Sequence, residues 1–148
     1  MSDYDLHSAL GYQLTLTARY GERRFEAAMK TIGLTRITWC ILLAAGGKNL
    51  PYPSDIADYI GIDRTATSRA LRQMEADGLL GRSLCKKDRR KTSVQLTKLG
   101  RARLEQANTL ANTARHETEA RLSAPEQSEL KRLLTKLRAG ENAPLKGL

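Results

Sequence analysis

The chain has 148 residues, of which 41% are hydrophobic and 28% are charged, and its formal net charge is +9. This length suits a single domain with enough chain to bury a core. No stretch approaches the ~18 consecutive apolar residues of a transmembrane helix, and the N-terminus lacks the basic start and apolar run of a signal peptide, so we expect a cytoplasmic protein. The two cysteines, Cys40 and Cys85, fit a reducing compartment and provide no disulfide framework.

The excess positive charge is concentrated in one segment. Residues 1–62 and 104–148 carry net charges of zero and +1, whereas residues 63–103 contain twelve Lys and Arg against four Asp and Glu. A basic surface that served only solubility would spread its charge more evenly. The concentration therefore indicates a nucleic-acid-binding surface within residues 63–103.

The first predicted helix spans residues 5–31 and has two apolar stripes. One stripe consists of Leu6, Leu10, Leu14, Ala18, Phe25 and Met29, and the other of Ala9, Tyr12, Leu16 and Tyr20. One neighbouring helix cannot cover both stripes, which suggests contact with a second subunit. Thr35 is expected to cap a second, centrally buried helix, RITWCILLAA, which ends at Gly46 and Gly47.

Two short helices joined by a tight turn are predicted next. Pro53 suits the first position of one helix, Gly61 suits its left-handed end, and Asp63 suits the cap of the following helix, predicted over residues 64–77. A helix, a turn with glycine and a second helix form the helix-turn-helix pattern.

The second of these helices separates into two faces when each residue is advanced by 100°. Ala66, Thr67, Ala70 and Met74 fall on one side, with Leu71 at its margin, while arginines and hydroxyls fall on the other. Arginine forks match guanine edges and phosphate oxygens, so this helix is predicted to read a DNA groove. The residues predicted to contact DNA are Arg64, Thr65, Thr67, Ser68, Arg69 and Arg72. The alternative is an amphipathic helix with a solvated basic face.

A basic hairpin follows. Apolar residues at even spacing predict two strands that each turn one face to a core, namely Leu80, Leu84, Val94 and Leu96. Between them lies KKDRRK, residues 86–91, whose five cations must face solvent or an anionic partner. Beside a basic helix, this loop is typical of a wing that contacts the DNA backbone or minor groove.

Two further helices complete the chain. Thr97 is expected to cap a long helix through about Leu122, and Ser123 with Glu126 to form a capping box for the last helix. The apolar positions are Leu99, Ala107, Leu110, Ala111 and Ala114 in the first, and Leu130, Leu133, Leu134 and Leu137 in the second. The last stripe needs a partner, and helix-turn-helix proteins usually bind DNA as two-fold dimers. A monomer with a three-helix cap is the alternative.

The ordered set of motifs resembles the MarR family of bacterial transcription regulators over almost the whole chain. The resemblance is carried by GLTRITWCILLAA, DIADYIGIDRTATSRALRQMEADGLL, the wing residues Asp88 and Arg90 with TSVQLT and KLG after them, and LSAPEQSELKRLLTKL. It implies a mostly α fold with a small β-hairpin wing, in one domain over residues 1–148. The winged helix-turn-helix module would span residues 34–97, and residues 1–32 and 98–148 would form the dimerisation helices of a homodimer.

The resemblance also implies roles for the wing. Arg90 would enter the minor groove and Asp88 would orient it, although a turn-forming aspartate in a solvated loop is the alternative. The remaining cations are interpreted as phosphate contacts that add affinity and salt dependence, namely Lys86, Lys87, Arg89 and Lys91.

Members of the family commonly release DNA when a small aromatic anion binds between the dimer helices and the winged module, or when a cysteine is oxidised. Tyr12, Arg19 and Trp39 could supply a hydroxyl, a carboxylate clamp and an aromatic wall for such a ligand. Each could equally belong to the core or an interface, and core packing is favoured for Trp39. For the oxidation route, Cys85 borders Lys86, whose charge could lower the pKa of its thiol.

Three classes of function are compared. A DNA-binding repressor released by a ligand explains the charge distribution, the helix face and the wing together. A winged helix used for protein interaction would not need this charge. An enzyme is not supported, because His7 and His116 stand far apart without metal-site spacing and neither GxSxG, a P-loop nor GxGxxG occurs. We expect no metal or cofactor.

Overall fold

The computed structural model describes residues 3–85 and 91–141. Within this part of the chain the elements are α1 (Leu10–Lys30), α2 (Arg36–Leu42), a π-helical turn (Leu43–Gly47), α3 (Pro53–Ile60), α4 (Arg64–Ala76), β1 (Leu80–Leu84), β2 (Thr92–Leu96), α5 (Lys98–Glu119) and α6 (Ala124–Leu137). The predicted fold class, mostly α with a small antiparallel hairpin, is confirmed. None of the described helices is long and apolar enough to cross a membrane.

Helix α1 begins at Leu10, five residues later than predicted. The Asp5 side chain accepts a hydrogen bond of 3.1 Å from the backbone N–H of His7, and the Ser8 hydroxyl donates to the Asp5 carbonyl at 3.2 Å. Such local bonds offer the backbone an alternative to the helix. Ala9 is extended, with ψ at 127°, and the helix starts after it.

Helix α2 begins as predicted and ends early. Thr35 and Thr38 cap it reciprocally, with the Thr38 backbone N–H donating to Thr35 Oγ1 at 3.2 Å. The regular helix stops at Leu42, and the Lys48 N–H then donates to the Leu43 carbonyl five residues back. This π-helical turn replaces the predicted last turn of the α-helix.

The hairpin pairs Leu80 with Leu96 and Arg82 with Val94. Leu80, Val94 and Leu96 are buried as predicted, but Leu84 is 66% exposed. Leu84 lies at the end of β1 farthest from the buried Leu80, where the hairpin extends beyond the core. Its predicted inward orientation is therefore wrong.

The core lies between the helix-turn-helix, the hairpin and the first half of α5. Its side chains include Met29, Ile41, Leu42, Ile56, Leu71, Met74, Leu80 and Val94. From α5 the core receives Ala107, as predicted, and Leu104, which the sequence analysis did not single out, whereas Leu99 is exposed. Helix α5 starts after Thr97, whose side chain accepts from the Gly100 backbone N–H at 3.0 Å.

Helix α6 contributes no buried residue within the described part of the chain. The predicted capping box is present, since Glu126 accepts from the Ser123 N–H at 2.8 Å and Ser123 accepts in return from the Glu126 N–H. These bonds from Ser123 lower the pKa of Glu126. Three leucines of the predicted stripe, Leu130, Leu133 and Leu137, are exposed.

Candidate nucleic-acid interface

The start of α4 is fixed by two residues that the sequence predicted. Gly61 ends α3 in the left-handed region with φ at 81°, which an L side chain rarely adopts. Asp63 Oδ1 then accepts a hydrogen bond of 2.7 Å from the Ala66 N–H. The turn and cap together set the direction in which α4 leaves the core.

The inner face of α4 packs into the core through Leu71 and Met74, both fully buried. Thr67 also belongs to this face, with 1% of its surface exposed. Its hydroxyl donates to the Asp63 carbonyl at 2.9 Å. The prediction that Thr67 contacts DNA is wrong for this reason, because neither its surface nor its hydroxyl is available to a ligand.

The outer face of α4 presents the other predicted residues. Arg64, Thr65, Arg69 and Arg72 are exposed, and Ser68 is half-buried. The Arg72 Nε donates to the Ser68 carbonyl at 3.3 Å. Among the described residues, none of the three arginines forms an ion pair. Three guanidinium groups and two hydroxyls can therefore meet an anionic partner along one face.

The hairpin packs against α4 through β1. Lys86, Lys87, Asp88, Arg89 and Arg90, which carry most of the predicted wing contacts, lie outside the described residues. Lys91 is described and exposed, with its Nζ 5.3 Å from the centre of the Tyr52 ring. The backbone of Lys91 accepts from the Cys85 N–H at 2.9 Å, which continues the strand pairing toward the tip.

An ion pair that the sequence analysis missed joins α4 to the hairpin. Arg82 Nε lies 3.1 Å from Glu75 Oε2, and the Arg82 side chain is only 24% exposed. The pair links the C-terminal turn of α4 to the middle of β1. The pair could not be predicted from the sequence, because its partners are seven residues apart and belong to different elements joined by a turn.

A pocket of about 680 Å³ lies on another side of the module, between α1, α2 and α5. Trp39 lines it together with Phe25, and their rings meet edge-on with centres 5.1 Å apart. The polar lining consists of Asn108, Asn112, Arg115, Thr118 and the Glu119 carboxylate, to which Arg115 Nε donates at 3.0 Å. This bond lowers the pKa of Glu119. The pocket thus combines aromatic walls with amide and guanidinium donors.

The structure does not bring the three predicted effector residues together within one chain. Trp39 lines the pocket, but Tyr12 and Arg19 are not among its lining residues. The Tyr12 ring instead contacts His7 edge-on, with centres 5.0 Å apart, and Arg19 is exposed. Phe25, Asn108 and Arg115 were missed, since only the packing of α1 and α5 against α2 places them beside Trp39.

The two cysteines lie in different surroundings. Burial raises the pKa of the Cys40 thiol, and the nearby Arg36 partly offsets this effect, so Cys40 is a poor thiolate at neutral pH. Cys85 is half-buried at the end of β1. The described ranges, 3–85 and 91–141, contain no cluster of His, Cys, Asp and Glu that could hold a metal ion.

Comparison with known proteins relates this geometry to a family. A MarR family model matches residues 32–91, which span α2, the helix-turn-helix and the first strand of the hairpin. Three solved structures share the fold. BpsR of Bordetella bronchiseptica, whose DNA binding is regulated by 6-hydroxynicotinic acid, has a TM-score of 0.82 and 24% identity over 95% of this chain and 100% of its own.

The other two structures have similar TM-scores to this chain. A mutant of MarR from E. coli, complexed with operator DNA, has a TM-score of 0.80 and 23% identity over 90% of this chain and 99% of its own. A probable transcriptional regulator from Pseudomonas aeruginosa has a TM-score of 0.77 and 26% identity over the same shares of the two chains. Residues 32–91 therefore match the MarR family, and the chain shares the fold of these three solved structures.

Proposed function

We propose that the chain is a sequence-specific, homodimeric repressor that a small aromatic, anionic ligand releases from its operator. The observation that carries the DNA-binding part is the outer face of α4, where Arg64, Arg69 and Arg72 are free of ion pairs among the described residues. Bidentate arginine contacts to guanine are the commonest specific contacts in the major groove. Thr65 and Ser68 add short hydroxyls for phosphate oxygens.

The wing supplies the second DNA contact in this proposal. Arg90 enters the minor groove with Asp88 orienting it, and Lys86, Lys87, Arg89 and Lys91 contact phosphates. The Glu75–Arg82 pair supports this arrangement, because it holds the hairpin against the helix that reads the bases. A DNA complex of the structurally similar MarR from E. coli is consistent with this use of the fold.

Exposed apolar side chains on the terminal helices support a homodimer. Leu10, Leu14 and Tyr20 on α1 are exposed, as are Leu130 and Leu137 on α6. Contiguous exposed apolar surface commonly marks a protein interface. In a two-fold dimer, two copies of α4 could reach successive major grooves about 34 Å apart.

The pocket beside Trp39 is the proposed effector site. Phe25 and Trp39 supply aromatic walls, and Arg115 retains terminal nitrogens that can bind a carboxylate beyond its bond to Glu119. The pocket touches α1 and α5 as well as α2, so a ligand there can change how the winged module sits on the terminal helices. Regulation of the structurally similar BpsR by 6-hydroxynicotinic acid favours a ring compound of this class.

The experiment is fluorescence anisotropy of the purified protein on the duplex flanking its own gene, with a scrambled duplex as competitor. Tight binding that resists the scrambled duplex supports sequence-specific recognition. A panel of aromatic carboxylates, with the matched neutral amides as controls, then tests release. Equal affinity for both duplexes would contradict the proposed operator, and failure of every acid in the panel would contradict the proposed class of ligand.

A further inference from the structure

The pocket beside Trp39 has two chemically different ends. At one end the rings of Phe25 and Trp39 are in contact, and Asn108 accepts the hydrogen bond of the indole. At the other end lie Arg115 and Glu119, which follow Asn108 by 7 and 11 residues on α5. At 1.5 Å per residue, these positions are roughly 10 Å and 16 Å from Asn108 along the helix axis. A ligand that spans the pocket therefore needs an aromatic end and a charged end.

The charged end carries both signs. Of the described residues that line the pocket, only Arg115 and Glu119 are charged, so the formal charge of the lining is zero. The hydrogen bond from Arg115 lowers the pKa of Glu119, which is therefore a carboxylate at neutral pH. A ligand that brings only a carboxylate would place two negative groups beside one guanidinium. A ligand that brings a carboxylate and a cation balances both residues.

Both charged residues keep atoms that a ligand can reach. Within residues 3–85 and 91–141, the Glu119 carboxylate is contacted only through Oε1, by Arg115 Nε at 3.0 Å and by Lys131 Nζ at 3.7 Å. Glu119 Oε2 is left as an acceptor, and Arg115 keeps its two terminal nitrogens as donors. Lys131 does not line the pocket and its side chain is 65% exposed, so solvent screens its charge from a ligand there.

The charged end is also open to water and roomy. The Arg115 side chain is 64% exposed, so a charged group bound there keeps part of its hydration. Gly21 of α1 lines the pocket on the opposite side, and a Cβ at this position would meet nothing within 4 Å. The arrangement therefore suits a ligand whose ring is enclosed and whose charged groups stay at the mouth of the pocket.

We propose that the pocket binds an aromatic α-amino acid, with its ring against Phe25 and Trp39, its carboxylate on Arg115 and its ammonium group on Glu119. The proposal rests on the effector site of the proposed function and deepens it, because the ligand keeps the carboxylate and gains an amino group. Glu119 is then the residue that selects such ligands over simple aromatic acids.

Two distances favour an α-amino acid over an acid whose amino group sits on the ring. Arg115 and Glu119 are only 3.0 Å apart, and an α-amino acid likewise carries its two charged groups on one carbon atom. The level of Arg115 is roughly 10 Å along α5 from that of Asn108, which is bonded to Trp39. The methylene group of an aromatic amino acid extends the charged groups away from the ring, as this separation requires.

The test is isothermal titration calorimetry of the full-length protein with L-phenylalanine, L-tyrosine and L-tryptophan. Each is compared with its deaminated acid, namely phenylpropanoate, hydroxyphenylpropanoate and indolepropanoate. We expect at least one amino acid to bind roughly tenfold or more tightly than its deaminated acid, since a hydrogen bond between charged groups is stronger than a neutral one. Trp39 is the only tryptophan of the chain, so a change in its fluorescence on addition of L-phenylalanine or phenylpropanoate locates binding at this pocket.

Glu119→Gln then tests which residue makes the selection. This variant keeps the size of the side chain and removes its charge, so the affinity for the amino acid should fall while that for the deaminated acid stays equal or rises. Retained binding of the deaminated acid also shows that the pocket is still folded. Glu117→Gln is the matched control, because Glu117 is exposed on the same helix and does not line the pocket. The control should keep the preference of the wild type.

Each contrary result has a separate meaning. If every deaminated acid binds the wild type as tightly as its amino acid, the proposal is overturned, and the simple aromatic acid of the proposed function remains. A preference that survives Glu119→Gln would overturn the placement of the ammonium group. If neither class of ligand binds or changes the Trp39 fluorescence, the proposal and the effector site both fail, whereas the DNA-binding part of the proposed function is decided by anisotropy alone.

Discussion

The indole Nε1 of Trp39 donates a hydrogen bond of 3.0 Å to Asn108 Oδ1, across 69 positions of sequence. Trp39 belongs to α2 of the winged module, whereas Asn108 belongs to α5, so the bond joins the two parts of the molecule. A second link is the ion pair between Arg36 and Glu22 of α1, at 2.8 Å. Trp39 and Asn108 both line the pocket proposed for the effector, so a ligand there would contact both sides of this joint.

The Trp39–Asn108 bond should contribute measurably to stability. Trp39→Phe and Asn108→Ala each remove one partner of the bond. The double variant should lose less free energy of unfolding than the two single variants lose together, and the difference should be about 1 kcal/mol, the usual net value of such a bond. Urea unfolding of the four proteins measures this coupling. Asn112→Ala is the matched control, because Asn112 lines the same pocket without this bond. Additive losses for the Trp39 and Asn108 variants would contradict the account.

Arg69 should act on DNA affinity and not on stability. Its side chain is exposed on the outer face of α4, so Arg69→Ala removes no core contact. Loss of one arginine contact to a base edge costs about 1–3 kcal/mol, which corresponds to a loss of affinity of roughly 5-fold to 150-fold. Anisotropy on the operator duplex measures the affinity, and thermal unfolding checks the fold. Arg138→Ala, at the exposed end of α6, is the control, and equal effects of the two substitutions would argue against the α4 surface.

Gly100 should be intolerant of any side chain. A Cβ at this position would collide with the backbone carbonyl oxygen of Leu79, which cannot move without displacing the start of the hairpin. Gly100→Ala should therefore destabilise the protein by about 2 kcal/mol or more, as overpacking does. Gly11→Ala in α1 is the control, since a Cβ there meets nothing within 4 Å and helix propensity favours alanine. Equal unfolding midpoints for the two variants would contradict the close approach of α5 to the hairpin.

Glu126 should make the free energy of unfolding depend on pH in the acidic range. Hydrogen bonds from Ser123 lower the pKa of Glu126 below its ordinary value of 4.5. The unfolded state therefore takes up the proton first, so this contribution is complete above pH 4.5 and is lost as the pH falls through the folded-state pKa. Glu126→Gln keeps a capping side chain without the titration. The urea concentration at the unfolding midpoint should fall less between about pH 6 and pH 3 in this variant than in the wild type. An equal fall in the two proteins would contradict the contribution of Glu126.

Local signals were predictable from the sequence. Gly61, Asp63, Thr97 and Ser123 act at the helix ends where the sequence placed them, because a cap depends on residues within one turn. Local hydrogen bonds also explain why the predicted start of α1 was wrong. The hydrogen bonds around Asp5 delay the start of α1, which the apolar periodicity alone could not reveal.

Contacts between distant segments were not predictable. Trp39 was singled out, but its partner Asn108 lies on a helix whose position against α2 is set by the whole core. Thr67 was assigned to the DNA surface because it carries a hydroxyl, although the helix geometry placed it on the inner face. In the structure this hydroxyl donates to the Asp63 carbonyl. The assignments for Lys86–Arg90 stay predictions, since these residues lie outside the described chain.

The most direct test of the central claim is the dependence of operator affinity on salt. Displacement of condensed counterions by Lys and Arg makes log K fall linearly with log salt, with a slope of about −0.9 for each phosphate contacted. We predict a steep slope for the wild type, and a slope shallower by roughly one after Lys91→Ala, which removes a single proposed phosphate contact. A nearly flat salt dependence would contradict the claim that the basic face of α4 and the hairpin bind duplex DNA.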